Sequence, residues 1–310
     1  MKKWLLVIRA PFLLLAVVLG FLGASIAWYE ANEFGSSFNI GYAWLALFGI
    51  LLTHISVNVF NEYFDFKSGV DLQTRRTPFS GGSGALPDGL ISSKQTLVLA
   101  IVSLLAAVLI GIYFVMAINT GWQLLPLLFI AIFCIVLYTP LILKTQWPEW
   151  APGVSLGSLP VLGAYFVQTG AYTLPAIIAS IPSAILVHNL LLLSEFPDVE
   201  ADSTANRKTM PIVLGSRKAG VIYSALTLIV YLWTISSVVA GIMPVFSLLA
   251  LLTIPFAFKA VQGALKSQEM ARLVPGLANN VLVVLLTQLL LGIGYILAGI
   301  FSNGGITDAG

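Results

Sequence analysis

Charged residues are scarce in this sequence. Lys, Arg, Asp and Glu account for 9% of its 310 residues and 58% are hydrophobic, whereas soluble domains carry about 25% charged residues. This scarcity excludes a soluble globular protein, and no part of the chain is polar enough to form a sizeable soluble domain. We therefore predict an all-α polytopic membrane protein, folded as a single transmembrane domain over residues 1–310.

Cysteine and histidine are also rare. The one cysteine, Cys134, excludes an intramolecular disulfide, and its apolar surroundings predict an inert core thiol. The two histidines, His54 and His188, lie within apolar segments, where a helix-packing hydrogen bond is the expected role. Gly157 and Gly163 are expected to permit close contacts between helices. The net charge of +2 gives no indication of nucleic-acid binding.

Apolar segments of near-spanning length, by contrast, recur nine times. They lie at residues 9–29, 41–61, 95–117, 122–142, 151–169, 173–194, 219–241, 244–262 and 278–301. The first resembles a signal peptide, but no small-residue cleavage site follows it cleanly, so we predict that it is the first transmembrane helix. We expect nine transmembrane helices around a central cavity.

The positions of Lys and Arg support this division. All 15 of them fall at the N-terminus or around the ends of segments 2, 4, 6 and 8, and the opposite loops have none. Positive charge marks the cytoplasmic side of a membrane protein. We therefore expect the N-terminus inside the cell, the C-terminus outside, and an integral protein of the cell membrane.

Two long polar loops, at about 62–94 and 195–218, share one order of residues. In each, two aspartates precede two basic residues and a threonine: Asp65, Asp71, Arg75, Arg76 and Thr77 in the first, and Asp198, Asp202, Arg207, Lys208 and Thr209 in the second. The loops are four apolar segments apart. This arrangement predicts two four-helix pseudo-repeats.

The spacing of the carboxylates indicates a metal site. Asp198 and Asp202 are four residues apart, as are Asn61 and Asp65, so each pair lies on one face of a helix. Two facing pairs of oxygen ligands suit Mg²⁺, which takes its remaining ligands from water and phosphate, and nearby basic residues suit phosphate oxygens. In so apolar a chain, we expect the diphosphate of an isoprenoid. Asp88 and Glu200 are expected to be ordinary solvated charges.

Several motifs resemble one family. N-E-Y-F-D-F-K-S-G-V-D at 61–71 resembles the first aspartate-rich motif of the UbiA superfamily of intramembrane prenyltransferases. E-F-P-D-V-E-A-D at 195–202, followed by R-K-T-M-P-I-V-L-G at 207–215, resembles the second, and Y-T-P-L-I-L-K at 138–144 resembles the tyrosine-to-lysine segment. The runs at 77–92 and 157–170 look most like the branch that prenylates 1,4-dihydroxy-2-naphthoate for menaquinone. The sequence departs from the family pattern at Glu62, where many members have Asp, at Ser194, where many have Asn, and at 206–208, where Asn-Arg-Lys replaces Gly-Lys-Arg.

The resemblance implies roles for individual residues. It implies Mg²⁺ ligands at Asn61, Asp65, Asp198 and Asp202, with Asp71 supporting a second ion. It implies that the diphosphate is bound through Asn61 and neutralised by Arg75 or Arg76, by Lys144, and by Arg207 or Lys208. Tyr138 would stabilise the allylic cation through its ring face. The residues expected to act in catalysis are Asp65, Asp198, Lys144 and Tyr138.

Other functions stay open from the sequence. Within the same chemistry, the prenyl group could pass to 4-hydroxybenzoate or to a glycerol-phosphate ether lipid. An ion-coupled transporter would also carry acidic residues and pseudo-repeats. A transporter, however, places its charges near the membrane midplane, whereas here they cluster at the ends of the segments.

Overall fold

The computed structural model describes residues 2–74, 76–77 and 79–302, and this part of the chain is helical, with no strand. The apolar helices are α1 (Ala10–Phe34), α2 (Ile40–Ser68), α3 (Ser93–Ala117), α4 (Gly121–Leu137), α5 (Trp150–Thr169), α6 (Leu174–Thr204), α7 (Ser216–Val239), α8 (Val245–Leu265) and α9 (Met270–Phe301). All except α4 are long and apolar enough to cross a membrane. The nine helices confirm the predicted all-α membrane protein, whereas the pseudo-repeat stays a prediction.

Several helix ends differ from those predicted. Helix α2 continues past Asn61 to Ser68 and ends at Gly69, whose φ of 80° is the left-handed conformation that glycine adopts at helix C-termini. Helix α4 ends at Leu137, because Thr139 precedes a proline and is disfavoured in helical conformation. Helix α9 begins at Met270, eight residues before the apolar run. The polar motifs therefore begin on the helices themselves.

Helices α5 and α6 form the centre of the bundle. Two-thirds of the most apolar part of α5 is buried (67%), compared with 28% of α3. Together with α1 and α9 they enclose the main apolar core, which includes Leu19, Tyr165, Val187 and Leu291. The outer helices carry large exposed apolar side chains, such as Leu109, Met116, Phe129 and Leu228. A protein apolar on its outside as well as in its core is one that lies in lipid.

A polar clamp closes the end of the bundle that is remote from the motif loops. Glu30 of α1 accepts hydrogen bonds from the hydroxyl groups of Tyr165 on α5 and Thr173, the residue that caps α6. Tyr165 also lies 3.0 Å from the Thr173 hydroxyl. The clamp thus fixes α1, α5 and α6 to one another, and it pairs a carboxylate that would be costly unpaired near lipid.

Helices α5 and α6 approach each other through backbone contact. At Gly157, within the π-helical turn Gly153–Ser158, a Cβ atom would lie 2.6 Å from the carbonyl oxygen of Ser183 and 2.8 Å from the Cα of Ala184. The expected close contact at Gly157 is therefore present. The one expected at Gly163 is not, because a Cβ there would meet only Leu127, at an ordinary 3.9 Å.

These two glycines make a matched pair for a stability test. Gly157→Ala should lower the melting temperature in detergent, because the methyl group forces α5 and α6 apart at a cost of about 1–3 kcal/mol. Gly163→Ala should leave it unchanged or raise it slightly, since alanine is the better helix former by roughly 0.5–1 kcal/mol. Equal melting temperatures for the two variants would contradict the backbone contact at Gly157.

Candidate active site

A polar cavity of about 90 Å³ lies where α2 and α6 end on the same face of the bundle. We call it the carboxylate pocket. The acidic and amide residues that line it are Asn61, Asp65, Asp71, Glu195, Asp198 and Asp202. Residues more than 120 positions apart in the chain therefore meet in one place, and all five residues that the sequence assigned to a metal site are among them.

Arg207 joins the two aspartate motifs. Its guanidinium bonds to the carboxylate of Asp65 on α2 and, through Nη1, to Asp202 Oδ1 on α6 at 2.8 Å. Its side chain is only 10% exposed. Burial alone would lower the pKa of Arg207, but the carboxylates of Asp65 and Asp202 outweigh it and raise the pKa above its ordinary value. Arg207 is therefore a permanent cation in the wall of the pocket.

A further ion pair holds the glycine-rich loop, S-G-G-S-G at residues 80–84, against the pocket. The Nε of Arg9 donates to Glu62 Oε1 at 2.7 Å, and Glu62 also accepts from the backbone N–H of Ser83 at 2.8 Å and from its hydroxyl at 2.6 Å. Glu62 is completely buried. Its carboxylate is therefore bonded to Arg9 and to the loop, and Glu62, although it lies within the first aspartate-rich motif, is not among the described residues that line the pocket.

The same loop needs a glycine where it touches Asp71. Gly82 has a φ of 73°, and a Cβ on it would lie 2.7 Å from Asp71 Oδ1. Burial raises the pKa of Asp71 to about 7, and the nearby carboxylates of Asp65 and Glu62 act in the same direction. The crowding of carboxylates is therefore energetically unfavourable unless a cation joins them.

Four oxygens of the pocket are buried without a hydrogen-bond partner: Asn61 Oδ1, Asp71 Oδ2, Glu195 Oε2 and Asp198 Oδ1. Buried oxygens of this kind are costly when unpaired, and they are the ligand type that Mg²⁺ binds. Among the described residues, no three His, Cys, Asp or Glu side chains are arranged to hold a metal ion by themselves. The donor set therefore fits an ion that takes further ligands from water and phosphate.

The carboxylate pocket adjoins a larger cavity inside the bundle. This central cavity has a volume of about 120 Å³ and shares Arg9, Asn61, Tyr138 and Ser194 with the pocket. Tyr138 is buried beside both, directly after α4, and burial raises its pKa well above the ordinary value. Because leucine, valine and proline side chains line much of the cavity, the arrangement suits a substrate with a charged head and an apolar body.

Residues 16–274 match the UbiA prenyltransferase family. The chain belongs to this family. Two curated relatives are 1,4-dihydroxy-2-naphthoate octaprenyltransferases. The Bacillus subtilis (strain 168) protein is 30% identical over 255 residues, which cover 81% of this chain and 80% of the relative. The Haemophilus influenzae protein is 26% identical over 307 residues, 96% of each chain.

Solved structures of UbiA homologues share the fold. The homologue from Aeropyrum pernix K1, without ligand, superimposes with a TM-score of 0.66 at 16% identity, covering 95% of this chain and 98% of that one. A homologue from Archaeoglobus fulgidus bound to GPP and Mg²⁺ gives 0.60 at 15% identity, covering 95% and 99%. At such low identity the likeness concerns the fold of the UbiA bundle.

The basic residues of this UbiA protein are less concentrated than the sequence suggested. Lys144 is exposed and lines a separate cavity of about 260 Å³, which also touches Arg207. Arg76 pairs with Asp88 at 3.1 Å, so Asp88 is not merely solvated. Lys208 is exposed, and its backbone N–H donates to Leu143 at 2.9 Å. Arg75 lies outside the described residues. Only Arg207 of the predicted diphosphate-binding cations lines the pocket among the residues described.

Three residues escaped the sequence interpretation. Arg9 lines the pocket and holds Glu62, Glu195 contributes a further buried carboxylate, and Glu149, fully buried, accepts from the Met210 N–H at 2.6 Å. The available signal for Arg9 was its position as the one basic residue at the edge of the first apolar segment. Nothing in the motifs marked Glu149 as a buried anchor.

Arg207 gives a test of the pocket's electrostatics. Arg207→Gln leaves Asp65 and Asp202 without their counter-ion, and loss of one partner of a buried ion pair costs on the order of 3 kcal/mol. We expect a lower melting temperature in chelator, where no metal ion can compensate. Lys208→Gln is the control, because Lys208 is the next residue in the chain and its side chain is exposed. Equal melting temperatures for Arg207→Gln, Lys208→Gln and wild type would contradict a stabilising role for the ion pairs that Arg207 makes with Asp65 and Asp202.

Proposed function

We propose that this UbiA protein transfers a polyprenyl group from a polyprenyl diphosphate to 1,4-dihydroxy-2-naphthoate, in the pathway to menaquinone. The observation that carries the proposal is that two unlike spaces adjoin. One is the carboxylate pocket with its unpaired oxygens, and the other is a cavity inside the apolar bundle that shares wall residues with the pocket. A diphosphate joined to an isoprenoid chain has the same two-part chemistry. The naphthoate relatives support the choice of acceptor.

Five residues of the pocket would hold Mg²⁺: Asn61, Asp65, Asp71, Asp198 and Asp202. The ion would supply positive charge that binds the diphosphate and stabilises it as a leaving group. Arg207, held by Asp65 and Asp202, would add a fixed cation next to the phosphate oxygens. Lys144, Arg75 or Arg76, and Lys208 would contribute further positive charge to the diphosphate.

Prenyl transfer to this acceptor forms one C–C bond and breaks two bonds, the allylic C–O bond and the bond between the ring and the carboxylate. The allylic C–O bond breaks with its electron pair leaving on the diphosphate, and the ring face of Tyr138 stabilises the allylic cation. The electron-rich ring carbon that carries the carboxylate forms the new C–C bond. The acceptor's carboxyl group leaves as carbon dioxide, and its bonding electrons return to the ring. The buried walls of the cavity exclude water, which would otherwise capture the cation.

We infer from the charge distribution which side of the membrane the active site faces. All Lys and Arg residues lie near one set of loops, and the carboxylate pocket lies at that end. By the positive-inside rule, the N-terminus and the active site would face the cytoplasm and the C-terminus the outside.

Product analysis tests the proposal directly. Purified protein should convert 1,4-dihydroxy-2-naphthoate and a polyprenyl diphosphate into a prenylated, decarboxylated naphthoquinol, identified by mass spectrometry. Chelation should abolish turnover, and added Mg²⁺ should restore it, since the pocket cannot neutralise a diphosphate without a cation. Product formed only from 4-hydroxybenzoate or a glycerol-phosphate ether lipid would replace the acceptor, and full activity in chelator would contradict the metal requirement. Absence of any prenylated product would favour transport instead.

Substitution separates the pocket carboxylates from ordinary helix-end charges. Asp65→Asn and Asp198→Asn should each nearly eliminate turnover, and the double variant should be little worse than either, because residues acting as one unit are not additive. Glu200→Gln, on the exposed face of the same helical segment, should retain near wild-type turnover. Gel filtration of each variant checks that it is folded. An active Asp65→Asn enzyme, or an equal loss at Glu200, would place the diphosphate site elsewhere.

A further inference from the structure

His54 presents an unused hydrogen-bond acceptor inside the bundle. It lies on α2, is 3% exposed, and its Nδ1 is 3.0 Å from the carbonyl oxygen of Ile50. A carbonyl oxygen only accepts, so Nδ1 carries the hydrogen. A charged imidazole would be costly this deep among apolar helices, and in the neutral ring the other nitrogen, Nε2, is then a bare acceptor. Nε2 is buried and has no partner.

The position of His54 connects it to the carboxylate pocket. His54, Asn58, Asn61 and Asp65 follow one another at intervals of four, three and four residues, which places them on one face of α2. His54, Asn58 and Asn61 line the central cavity, and Asn61 and Asp65 line the pocket. At 1.5 Å of rise per residue, His54 lies about 10 Å along the helix from Asn61. A small aromatic molecule spans a distance of this order.

The other polar side chains deep in the cavity already have partners. Asn58 donates to the Ile8 carbonyl at 3.1 Å, and the Ser155 hydroxyl donates to Ala151 at 2.7 Å. Asn280 accepts from the Tyr223 hydroxyl at 2.9 Å and donates to Asn189 at 3.2 Å. Their hydrogen bonds stabilise the bundle. His54 Nε2 differs from them because it has no partner in the described part of the protein and belongs to a residue that lines the cavity.

We propose that His54 Nε2 accepts a hydrogen bond from a phenolic hydroxyl of the aromatic acceptor and so fixes the orientation of its ring. This inference rests on the proposed function. Of the groups on the two substrates, the isoprenoid chain has no donor, and the diphosphate and carboxylate only accept. The hydroxyl beside the carboxylate of the naphthoate bonds to that carboxylate internally, which leaves the C4 hydroxyl as the free donor. A hydrogen bond accepted by His54 also raises the electron density of the ring that attacks the allylic cation.

The test pairs a protein change with a ligand change. Binding of 1,4-dihydroxy-2-naphthoate and of 1-hydroxy-2-naphthoate, which lacks the C4 hydroxyl, is followed by naphthoate fluorescence without diphosphate, so that no turnover occurs. Wild type should bind the dihydroxy compound about tenfold more tightly. His54→Phe keeps a planar ring but removes the acceptor nitrogen. It should lose that tenfold preference and leave binding of the monohydroxy compound unchanged.

Three further measurements exclude a merely structural effect. His188→Phe is the matched control. The Nδ1 of His188 lies 3.3 Å from Asn189 Oδ1, and His188 is not among the described residues that line the cavity. It should keep the full preference. His54→Gln, whose side-chain carbonyl can accept, should restore part of it. In turnover assays, His54→Phe should raise the KM for the naphthoate while the KM for polyprenyl diphosphate stays constant.

The outcomes are distinguishable. Equal binding of the two naphthoates by wild type overturns the inference without recourse to any variant. A His54→Phe protein that weakens both compounds equally also overturns it, because that pattern reports a changed cavity shape. If wild type binds neither naphthoate yet prenylates another acceptor, the proposed function itself fails together with the inference. Normal naphthoate prenylation with an unchanged preference in His54→Phe overturns the inference alone.

Discussion

The architecture depends on burying carboxylates at the end of an apolar bundle. Each unpaired carboxylate near lipid costs several kcal/mol, and the part of the protein described here gathers five of them around one pocket. Two arginines make this possible. Arg207 compensates Asp65 and Asp202 and thereby connects α2 to α6. Arg9 compensates Glu62 and thereby connects the N-terminal segment to α2, and Glu62 in turn binds the glycine-rich loop through Ser83. These ion pairs hold the helices together at this end of the bundle.

The compensation is incomplete, and that incompleteness distinguishes the site from a structural salt-bridge network. Asn61, Asp71 and Asp198 retain buried oxygens with no partner, whereas the clamp at the opposite end satisfies Glu30 through Tyr165 and Thr173. The acidic residues thus differ in hydrogen bonding between the two ends of the bundle. At one end the carboxylate completes the fold, and at the other the fold leaves oxygens for a ligand.

The sequence predicted the helices and the meeting of the aspartate motifs well, because both follow from simple periodicities. Apolar length defines a membrane span, and carboxylates four residues apart share a helix face. It predicted the partners of individual side chains less well. Arg76 bonds to Asp88, Lys144 lines a separate cavity, and Gly163 makes no close backbone contact with the described residues. These contacts were not predicted, because they depend on the path of the loops and on which helices touch. Glu62 lies in the first aspartate-rich motif, but its carboxylate is paired with Arg9. The sequence did not reveal this pair, because the two residues are 53 positions apart.

The bridge made by Arg207 has a thermodynamic consequence. A divalent ion that binds Asp65 and Asp202 must compete with the guanidinium for the same oxygens, so the free protein binds metal more weakly than its carboxylate content suggests. A phosphate group offers the guanidinium another partner and removes that competition. Ion and diphosphate bound at these residues would therefore promote each other's binding, and by reciprocity to the same degree. Such a site would bind the pair better than either alone.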